Sequence, residues 1–272
     1  LQFIKPGGTS RGVLHQKETF ILSLSDDNQS KIAYGECGLF RGLSIDGRPG
    51  YEEKLEEVCK RLPGKKQEIL PELKEWPSIC FGVEMVLKDW ENNGAHIFFK
   101  SDFTEGKTGI DINGLIWMGS KESMMAQIKD KLEQGFTCLK MKVGAIDFES
   151  ELKILQLIRN QFSSEQIELR VDANGAFSVK EALEKLKRLS AYDIHSIEQP
   201  IRAGQIFEMA ELIEKSPVPV ALDEELIGVI DVKAKRKLLE TLHPSYIILK
   251  PTLVGGFAGS QEWIDLIEEQ SG

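Results

Sequence analysis

The chain has 272 residues, of which 41% are hydrophobic and 28% are charged, and its formal net charge is -9. This composition is typical of a folded globular protein and excludes a disordered or fibrous chain, while the negative charge without a long basic run argues against a nucleic-acid partner. No segment approaches the roughly 18 apolar residues of a membrane helix, and the four cysteines form no zinc or disulfide pattern, so a cytoplasmic protein without a membrane partner is expected.

The first part of the chain, residues 1–105, is predicted to be an α+β capping domain, because its strands and helices are segregated rather than alternating. Alternating apolar residues at 19–24 and 31–36 predict an antiparallel pair of strands around a turn-forming segment. The glycine-rich stretch 6–12 before them lacks the residues of a phosphate-binding loop. It is interpreted as a mobile lid or a surface turn.

Two helices are predicted in the same domain, at 51–61 and 78–92. The second carries apolar residues at Phe81, Met85 and Trp90, which are expected to form its buried face. A glycine-containing joint then leads to a second domain with a different pattern.

Residues 106–272 repeat the order strand, turn, helix, which predicts a parallel sheet covered by helices. The six predicted strands are 115–118, 139–144, 167–171, 194–197, 218–222 and 246–249. A β/α barrel and an open doubly wound sheet both fit this order. The glycine fingerprint of dinucleotide-binding sheets does not follow the first strand, so the barrel is favoured.

The helices between these strands have recognisable ends and faces. Ser120 is predicted to cap the first of them, and Ser178 forms a capping box with Glu181 at a later one. The basic run 233–237 (KAKRK) is interpreted as the solvent-exposed face of another helix.

The stretch 139–144 (LKMKVG) alternates aliphatic side chains with Lys140 and Lys142, which places both lysines on one face of a buried strand. Two ammonium groups on such a face repel each other and lose water. Both effects are expected to lower the pKa of a lysine from about 10.4 toward that of a base. An isolated pair of this kind more often faces solvent on an edge strand, but the later strands favour the buried interpretation.

Each strand after the first ends in an ionisable residue, at intervals of 25 to 30 residues that match one strand–helix unit. These residues are Lys142, Asp172, Glu198, Asp223 and Lys250. Because the carboxyl ends of barrel strands meet at one mouth, the five side chains are expected to converge there. Salt bridges that fill the barrel are the alternative use of the same residues.

The three carboxylates, Asp172, Glu198 and Asp223, have the oxygen donors that hard cations prefer, and they predict a Mg²⁺ site. His195 lies three residues before Glu198, on the opposite face of the strand. It is therefore expected to be a core or interface histidine rather than a ligand.

The lysines suit proton abstraction beside a carboxylate, because the resulting enediolate carries two negative charges that need nearby positive charge. Lys142 is the predicted base, with Lys140 and the metal lowering its pKa. Lys250, arriving from the other side of the mouth, is predicted to be a second acid/base or a cationic stabiliser.

With these residues the chain resembles the enolase superfamily, within its muconate-lactonizing subgroup. The matching strand-end motifs are KMK (140–142), VDAN (171–174), IEQP (197–200), LDEE (222–225) and LKP (249–251). The resemblance implies a barrel of the (β/α)7β type with an α+β capping domain, and a lysine base acting with Mg²⁺, as in known sites of this superfamily. Two further strands of that barrel are not in the sequence, so the chain is expected to stop after the sixth barrel strand.

Within that subgroup the chain most resembles the o-succinylbenzoate synthase family, through stretches 6–13, 35–40, 222–228 and 248–256. The resemblance implies a hydro-lyase of menaquinone biosynthesis that acts on a small carboxylate. Members of that family dehydrate 2-succinyl-6-hydroxy-2,4-cyclohexadiene-1-carboxylate to 2-succinylbenzoate, and the resemblance implies the same reaction here. The base would be Lys142, which then protonates the departing hydroxyl.

The same resemblance places the loop 6–13 over the substrate, with Thr9, Ser10 and Arg11 as substrate-binding residues. Arg11 is expected to pair with the succinyl carboxylate, with an ordinary surface arginine as the alternative. Asn174 is expected to hydrogen-bond near the metal or the catalytic lysine, or to serve in a turn.

Two other functions stay open. A racemase or epimerase of N-acylamino acids or dipeptides uses the same lysine pair and metal, although the segment after Lys250 (PTLVGGF) lacks the acidic pair usual in those epimerases. The second is a non-catalytic barrel. The presence of both Lys142 and Lys250 weighs against it, because a barrel without catalytic activity does not need the two lysines. The oligomeric state is not determined by the sequence.

Overall fold

The structure, a computed structural model, describes residues 1–9, 12–64 and 68–271. For residues 5–9, 12–14 and 271 it describes the backbone only. Its first half contains short antiparallel strands and two helices. The strands are β1 (Gln2–Thr9), β2 (Gly12–Gln16), β3 (Phe20–Ser25) and β4 (Ile32–Cys37), and the helices are α1 (Tyr51–Arg61) and α2 (Pro77–Glu91). A 3-10 turn, Leu70–Leu73, separates the two helices.

The strands of the first half form two separate hairpins, β1 with β2 and β3 with β4. The second hairpin confirms the strands predicted at 19–24 and 31–36, since Leu22 and Leu24 alternate with exposed neighbours. Within the predicted loop 6–12, the described residues 7–9 and 12 are strand residues, because 7–9 of β1 pair with 12–14 of β2, and the interpretation as a lid or turn stays a prediction. Glycine weakens a strand but does not prevent its backbone from pairing.

Helix α2 confirms the predicted segment but not its predicted face. Phe81, Met85 and Trp90 are only half-buried, whereas Ile79 and Val83 are fully buried. The reason is that α2 packs on β4 from one side and on two helices of the second half from the other. A helix buried from two sides has no single apolar stripe.

The second half is a parallel sheet whose six strands follow one another in space in the order of the chain. The strands are β5 (Gly114–Ile116), β6 (Cys138–Lys142), β7 (Glu168–Asp172), β8 (Ile194–Glu198), β9 (Val220–Leu222) and β10 (Tyr246–Ile247). The helices are α3 (Lys121–Glu133), α4 (Phe148–Gln161), α5 (Val179–Leu189), α6 (Ile206–Lys215), α7 (Val232–Leu242), α8 (Pro251–Val254) and α9 (Gly256–Ser271). All six predicted strands are confirmed, in the arrangement of the first six strands of a β/α barrel.

Each half of the chain has its own hydrophobic cluster. One is built from residues between Leu22 and Leu87, the other from residues between Ile116 and Leu266. Each cluster lies in one of the two predicted domains, and both the capping role of the first domain and the boundary near residue 105 stay predictions.

The helix ends confirm one of the two predicted caps. Ser120 accepts a hydrogen bond from the backbone N–H of Ser123 at 3.2 Å. Ser178 lies at the predicted start of α5, but its hydroxyl donates to the Glu181 carboxylate at 2.6 Å and makes no capping bond to the backbone. None of the described helices has both the length and the apolar surface needed to cross a bilayer.

The basic run 233–237 is not wholly exposed, which corrects the sequence interpretation. Lys235 is only 1% exposed, and its Nζ donates to Glu262 Oε2 at 2.7 Å and to the carbonyl of Gly259 at 3.2 Å. It also lies 5.3 Å from the ring centre of Trp263. Because Lys235 shares a helix face with Leu239, it is buried where α7 packs against α9.

Candidate active site

The strand ends predicted from the sequence lie side by side in the sheet. Lys142 pairs in register with Asp172, and Asp172 pairs with Glu198. Glu198 pairs with Ala221, two residues before Asp223. Since residues in register on neighbouring strands point to the same face, Lys142 and the first two carboxylates are presented together.

Two lysines of β6 reach these carboxylates from one side. Lys142 Nζ lies 2.7 Å from Asp172 Oδ2, and Lys140 Nζ lies 3.1 Å from the same oxygen. Lys140 also forms an ion pair with Glu198. The strand alternation predicted for 139–144 is therefore observed, and both lysines face the acidic residues rather than solvent.

The third lysine arrives from the far side of the sheet. Lys250 follows β10 and forms an ion pair with Asp223, and its Nζ lies 3.7 Å from Glu198 Oε1. Asp172, Glu198 and Asp223 are all buried, so each needs a compensating charge. The predicted convergence of five strand-end residues is thus present in the geometry.

Burial and pairing set the pKa values of this network. Burial disfavours the charge of Asp172, but Lys140 and Lys142 outweigh it, and the pKa of Asp172 lies below its usual value. Burial, and next the negative charge of Asp172, raise the pKa of Glu198 to about 7. The pKa values of Asp172 and Glu198 therefore depend on the charges of their neighbours.

The pKa of Lys140 differs from the sequence expectation. Burial lowers this pKa, but the charges of Asp172 and Glu198 outweigh burial and raise it above its usual value. The expectation considered only the repulsion between two ammonium groups and the loss of water. The carboxylates of the next two strands form ion pairs with Lys140, and their combined effect on its pKa is the larger one.

Asn174 joins this network beside Lys142. Its Oδ1 accepts from Lys142 Nζ at 2.6 Å, its backbone N–H donates to Asp172 Oδ1 at 3.0 Å, and its Nδ2 donates to Glu224 Oε1 at 3.1 Å. Its φ of +44° is in the left-handed region, which asparagine tolerates better than most residues. Asn174 therefore both contacts the lysine and adopts a turn conformation, the two roles that the sequence offered as alternatives. Substrate binding by Asn174 stays a prediction.

Gln199 and Glu225 support the site and were not singled out from the sequence. Gln199 is fully buried, and its Oε1 accepts from the backbone N–H groups of Asp223 and Glu225, each at 3.2 Å. Its Nε2 donates to Glu225 Oε2 at 3.0 Å. The signal available in the sequence was a polar residue one position after the strand-end acid in the IEQP motif and two positions after it in the LDEE motif.

The predicted substrate loop cannot be related to this site from the described residues. Thr9 ends β1, where its backbone pairs with Gly12, and its side chain lies outside the description. Ser10 and Arg11 lie outside the described residues altogether. His195 is half-buried, and its ring stacks on Tyr246 at 5.0 Å, as expected of a core or interface histidine.

The donor chemistry of the site suits a hard divalent cation, because three buried carboxylates come from three neighbouring strands. In the part of the chain that the structure describes, no three His, Cys, Asp or Glu side chains already surround a common metal position. Instead, the ammonium groups of Lys140 and Lys250 lie between the carboxylates. The residues that would hold a cation are Asp172, Glu198 and Asp223.

Comparisons with known proteins identify related sequences. The family model described as enolase C-terminal domain-like matches residues 123–271. A curated o-succinylbenzoate synthase of Desulfotalea psychrophila is 42% identical over 301 residues, which cover 99% of this chain and 81% of that protein. The similarity therefore extends over both halves of the chain.

Solved structures agree with this relationship. The crystal structure of MenC from Desulfotalea psychrophila matches with a TM-score of 0.83 and 38% identity, over 98% of this chain and 82% of that one. A dipeptide epimerase from Enterococcus faecalis, crystallised with Mg and the dipeptide L-Leu-L-Tyr, matches with a TM-score of 0.81 over 98% of this chain and 76% of that one. At 19% identity, the second likeness concerns the fold alone.

Proposed function

The chain belongs to the enolase superfamily, and from that premise we propose that it is an o-succinylbenzoate synthase that works with Mg²⁺. The reaction would dehydrate 2-succinyl-6-hydroxy-2,4-cyclohexadiene-1-carboxylate to 2-succinylbenzoate. One observation carries the proposal: Lys142 and Lys250 flank three buried carboxylates at the ends of successive strands. The 42% identity to a curated synthase supports this choice of substrate.

Lys142 is the proposed base. In its neutral form it takes the proton from the ring carbon beside the carboxylate, and the C–H electron pair moves into the carboxylate to form an enediolate. The enediolate then collapses, the ring C–O bond breaks, and Lys142 returns its proton to the leaving hydroxyl, which departs as water. The bonds of Lys142 to Asp172 and Asn174 hold its Nζ in one place for both proton transfers.

Lys250 is proposed to stabilise the enediolate. Its ammonium group comes from the strand farthest from Lys142 in the acidic group, so a substrate between them would have positive charge on its other side. Such a charge stabilises the negative charge that develops in the transition state. When bound by Asp172, Glu198 and Asp223, Mg²⁺ supplies a further positive charge beside the reacting carboxylate.

The proposal is tested by following the ultraviolet absorbance of the cyclohexadiene when the purified protein and Mg²⁺ are added to this substrate. We expect rapid loss of absorbance, and a decrease of about 10²–10⁴-fold in kcat for Lys142→Ala. Lys129→Ala, which removes an exposed lysine of α3, is the matched control and should keep full activity. A folded protein that leaves the absorbance unchanged, or a Lys142→Ala variant with normal turnover, would contradict the proposal.

An epimerase of N-acylamino acids or dipeptides is the second candidate, because two lysines on either side of the carboxylates also suit removal and return of a proton on opposite faces. Incubation of such substrates in D₂O, followed by NMR of the α-proton, separates the two. Exchange and inversion that require both Lys142 and Lys250 would favour the epimerase, whereas no α-proton exchange in these substrates together with turnover of the cyclohexadiene would favour the synthase.

A further inference from the structure

The first turn of α9 is capped by a carboxylate from the other half of the chain. Glu84, on α2, is buried, and its Oε1 accepts from the backbone N–H of Ala258 at 3.1 Å. Its Oε2 accepts from the backbone N–H of Phe257, a residue 173 positions away. The first N–H groups of a helix have no partner inside the helix, and a carboxylate there is favoured by the helix dipole.

Two glycines stand where α8 passes into α9, and the second of them, Gly256, makes room for the carboxylate. Gly255 and Gly256 have φ values of +96° and +79°, in the region that favours glycine. A Cβ atom on Gly256 would lie 2.1 Å from Glu84 Oε2. These two glycines end the stretch ILKPTLVGG, and the proposed reaction mechanism gives them no role.

Other contacts fix the same junction to the first half. Thr252 Oγ1 donates to the carbonyl of Gly38 at 2.8 Å. The ring of Phe257 packs edge-on against Phe81 at 5.1 Å and against Phe99 at 5.0 Å. The segment from α8 into α9 is therefore held by side chains and backbone of the capping half.

This junction is directly linked to Lys250. Lys250 immediately precedes the four-residue helix α8, and its carbonyl accepts from the N–H groups of Leu253 at 2.7 Å and Val254 at 3.2 Å. A helix of four residues is only about 6 Å long. A shift at the C-terminal end of α8, where Glu84 holds the chain, is therefore passed on to the backbone of Lys250.

We propose that Glu84 is a positioning residue for Lys250: it clamps the α8–α9 junction, and the capping half thereby sets where the second lysine stands against Asp223 and Glu198. Hydrogen bonds from N–H groups to a carboxylate are stronger than neutral ones, so Glu84 holds the junction more firmly than the neutral bond from Thr252 to Gly38. The inference rests on the proposed role of Lys250 in the reaction.

The first test measures the position of Lys250 without using activity. The protein and its variants are acetylated with an N-hydroxysuccinimide ester, and the rate at Lys250 is read from peptide masses, relative to the exposed Lys60. For Glu84→Ala we expect the rate to rise about fivefold, the factor for losing one partly exposed ion pair. Asp231→Ala, which removes a carboxylate that caps α7 through two N–H groups, is the matched control and should leave the rate unchanged.

The second test measures turnover with the proposed substrate. We expect Glu84→Ala to lower kcat by about 10- to 100-fold with KM within about twofold, because a misplaced group that acts in the transition state affects kcat. Glu84→Gln keeps the shape and one acceptor, so its kcat should be intermediate. Gly256→Ala should repeat the effect of Glu84→Ala from the other side of the contact.

The outcomes separate this inference from the proposed function. Folded Glu84 and Gly256 variants with an unchanged Lys250 rate and unchanged kcat would overturn the positioning role and leave only a structural one. Should Glu84→Ala fail to fold, Glu84→Gln is judged by the same two measurements. If the Lys250 rate responds but the unsubstituted protein shows no turnover, the positioning role stands and the proposed function fails.

Discussion

Glu151 is a buried carboxyl group next to the loop that follows Lys142. It is 1% exposed, and its Oε1 accepts from the backbone N–H of Gly144 at 2.7 Å. Its Oε2 has no hydrogen-bond partner within the described part of the chain. Burial raises the pKa of Glu151 to about 7, so the protonated form is favoured over a wide range of pH.

We predict that Glu151→Gln changes how stability depends on pH. The pKa of Glu151 is about 7 in the folded protein and ordinarily 4.5, so its stabilising contribution is complete below pH 4.5 and is lost as the pH rises through 7. The loss amounts to about 3 kcal/mol. Glutamine does not titrate, and the variant should therefore gain stability relative to the unsubstituted protein between pH 5 and pH 8.

Urea unfolding at a series of pH values measures this difference. Glu133→Gln, at an exposed glutamate of α3, is the control and should follow the unsubstituted protein. Parallel stability curves for Glu151→Gln and the unsubstituted protein would show that Glu151 does not titrate as its burial implies.

Asn174 combines a strained backbone with a contact to Lys142, and two substitutions separate these effects. Asn174→Ala should lower kcat about tenfold through the lost hydrogen bond and destabilise the protein by about 1 kcal/mol through its positive φ. Asn174→Gly tolerates the positive φ, so it should recover the stability but not the activity. Equal kcat for Asn174→Gly and the unsubstituted protein would rule out a role of the side chain in positioning Lys142.

At the scale of elements, strand β6 shows how one short segment serves both core and site. Leu139 and Met141 are fully buried against the helices, while Lys140 and Lys142 alternate with them and meet the carboxylates. A slip of one residue would exchange the two faces, so the apolar contacts that hold the register also place the lysines.

We predict that Leu139→Ala destabilises the protein by about 2–5 kcal/mol, since it leaves a cavity in the core of the sheet. The same change at Leu157, which is 39% exposed on α4, should cost less than about 1 kcal/mol. Both values come from urea unfolding at a single pH. A similar cost at the two positions would mean that β6 is not held by its apolar face.

At the scale of the whole molecule, the two hydrophobic clusters are joined by α2, which packs on β4 and also on α8 and α9. The rings of Phe81, Phe99 and Phe257 meet at this junction, and Lys88 Nζ lies 4.3 Å from the ring centre of Phe99. The first half of the chain therefore packs directly against the segment that follows the last strand of the sheet.

We predict that Phe257→Ala weakens the joint between the halves and costs about 2 kcal/mol of stability, because it removes several aromatic contacts at once. Hydrogen exchange should then become faster in α2 and the start of α9 than in α5. Phe207→Ala, at a side chain that is 84% exposed, is the control and should change neither. Uniform acceleration across all helices would indicate that the halves open as one unit.

The sequence alone was sufficient to determine the order of strands and helices and the residues at the strand ends. Both depend on local regularities, namely the apolar periodicity and the repeat of one ionisable residue per strand–helix unit. Parallel neighbours then bring those ends to one edge whatever the details of packing. The pattern of the chain was therefore enough to place Lys142, Asp172 and Glu198 together.

Only the tertiary structure decided which neighbours each group meets. The raised pKa of Lys140, the burial of Lys235 and the support of the Asp223 loop by Gln199 all depend on residues from other elements. The same is true of Glu84, whose partners lie more than 170 positions away. Such contacts leave no periodic trace in the sequence, because a hydrogen bond between distant residues is specified by how the elements pack and not by the pattern within either element.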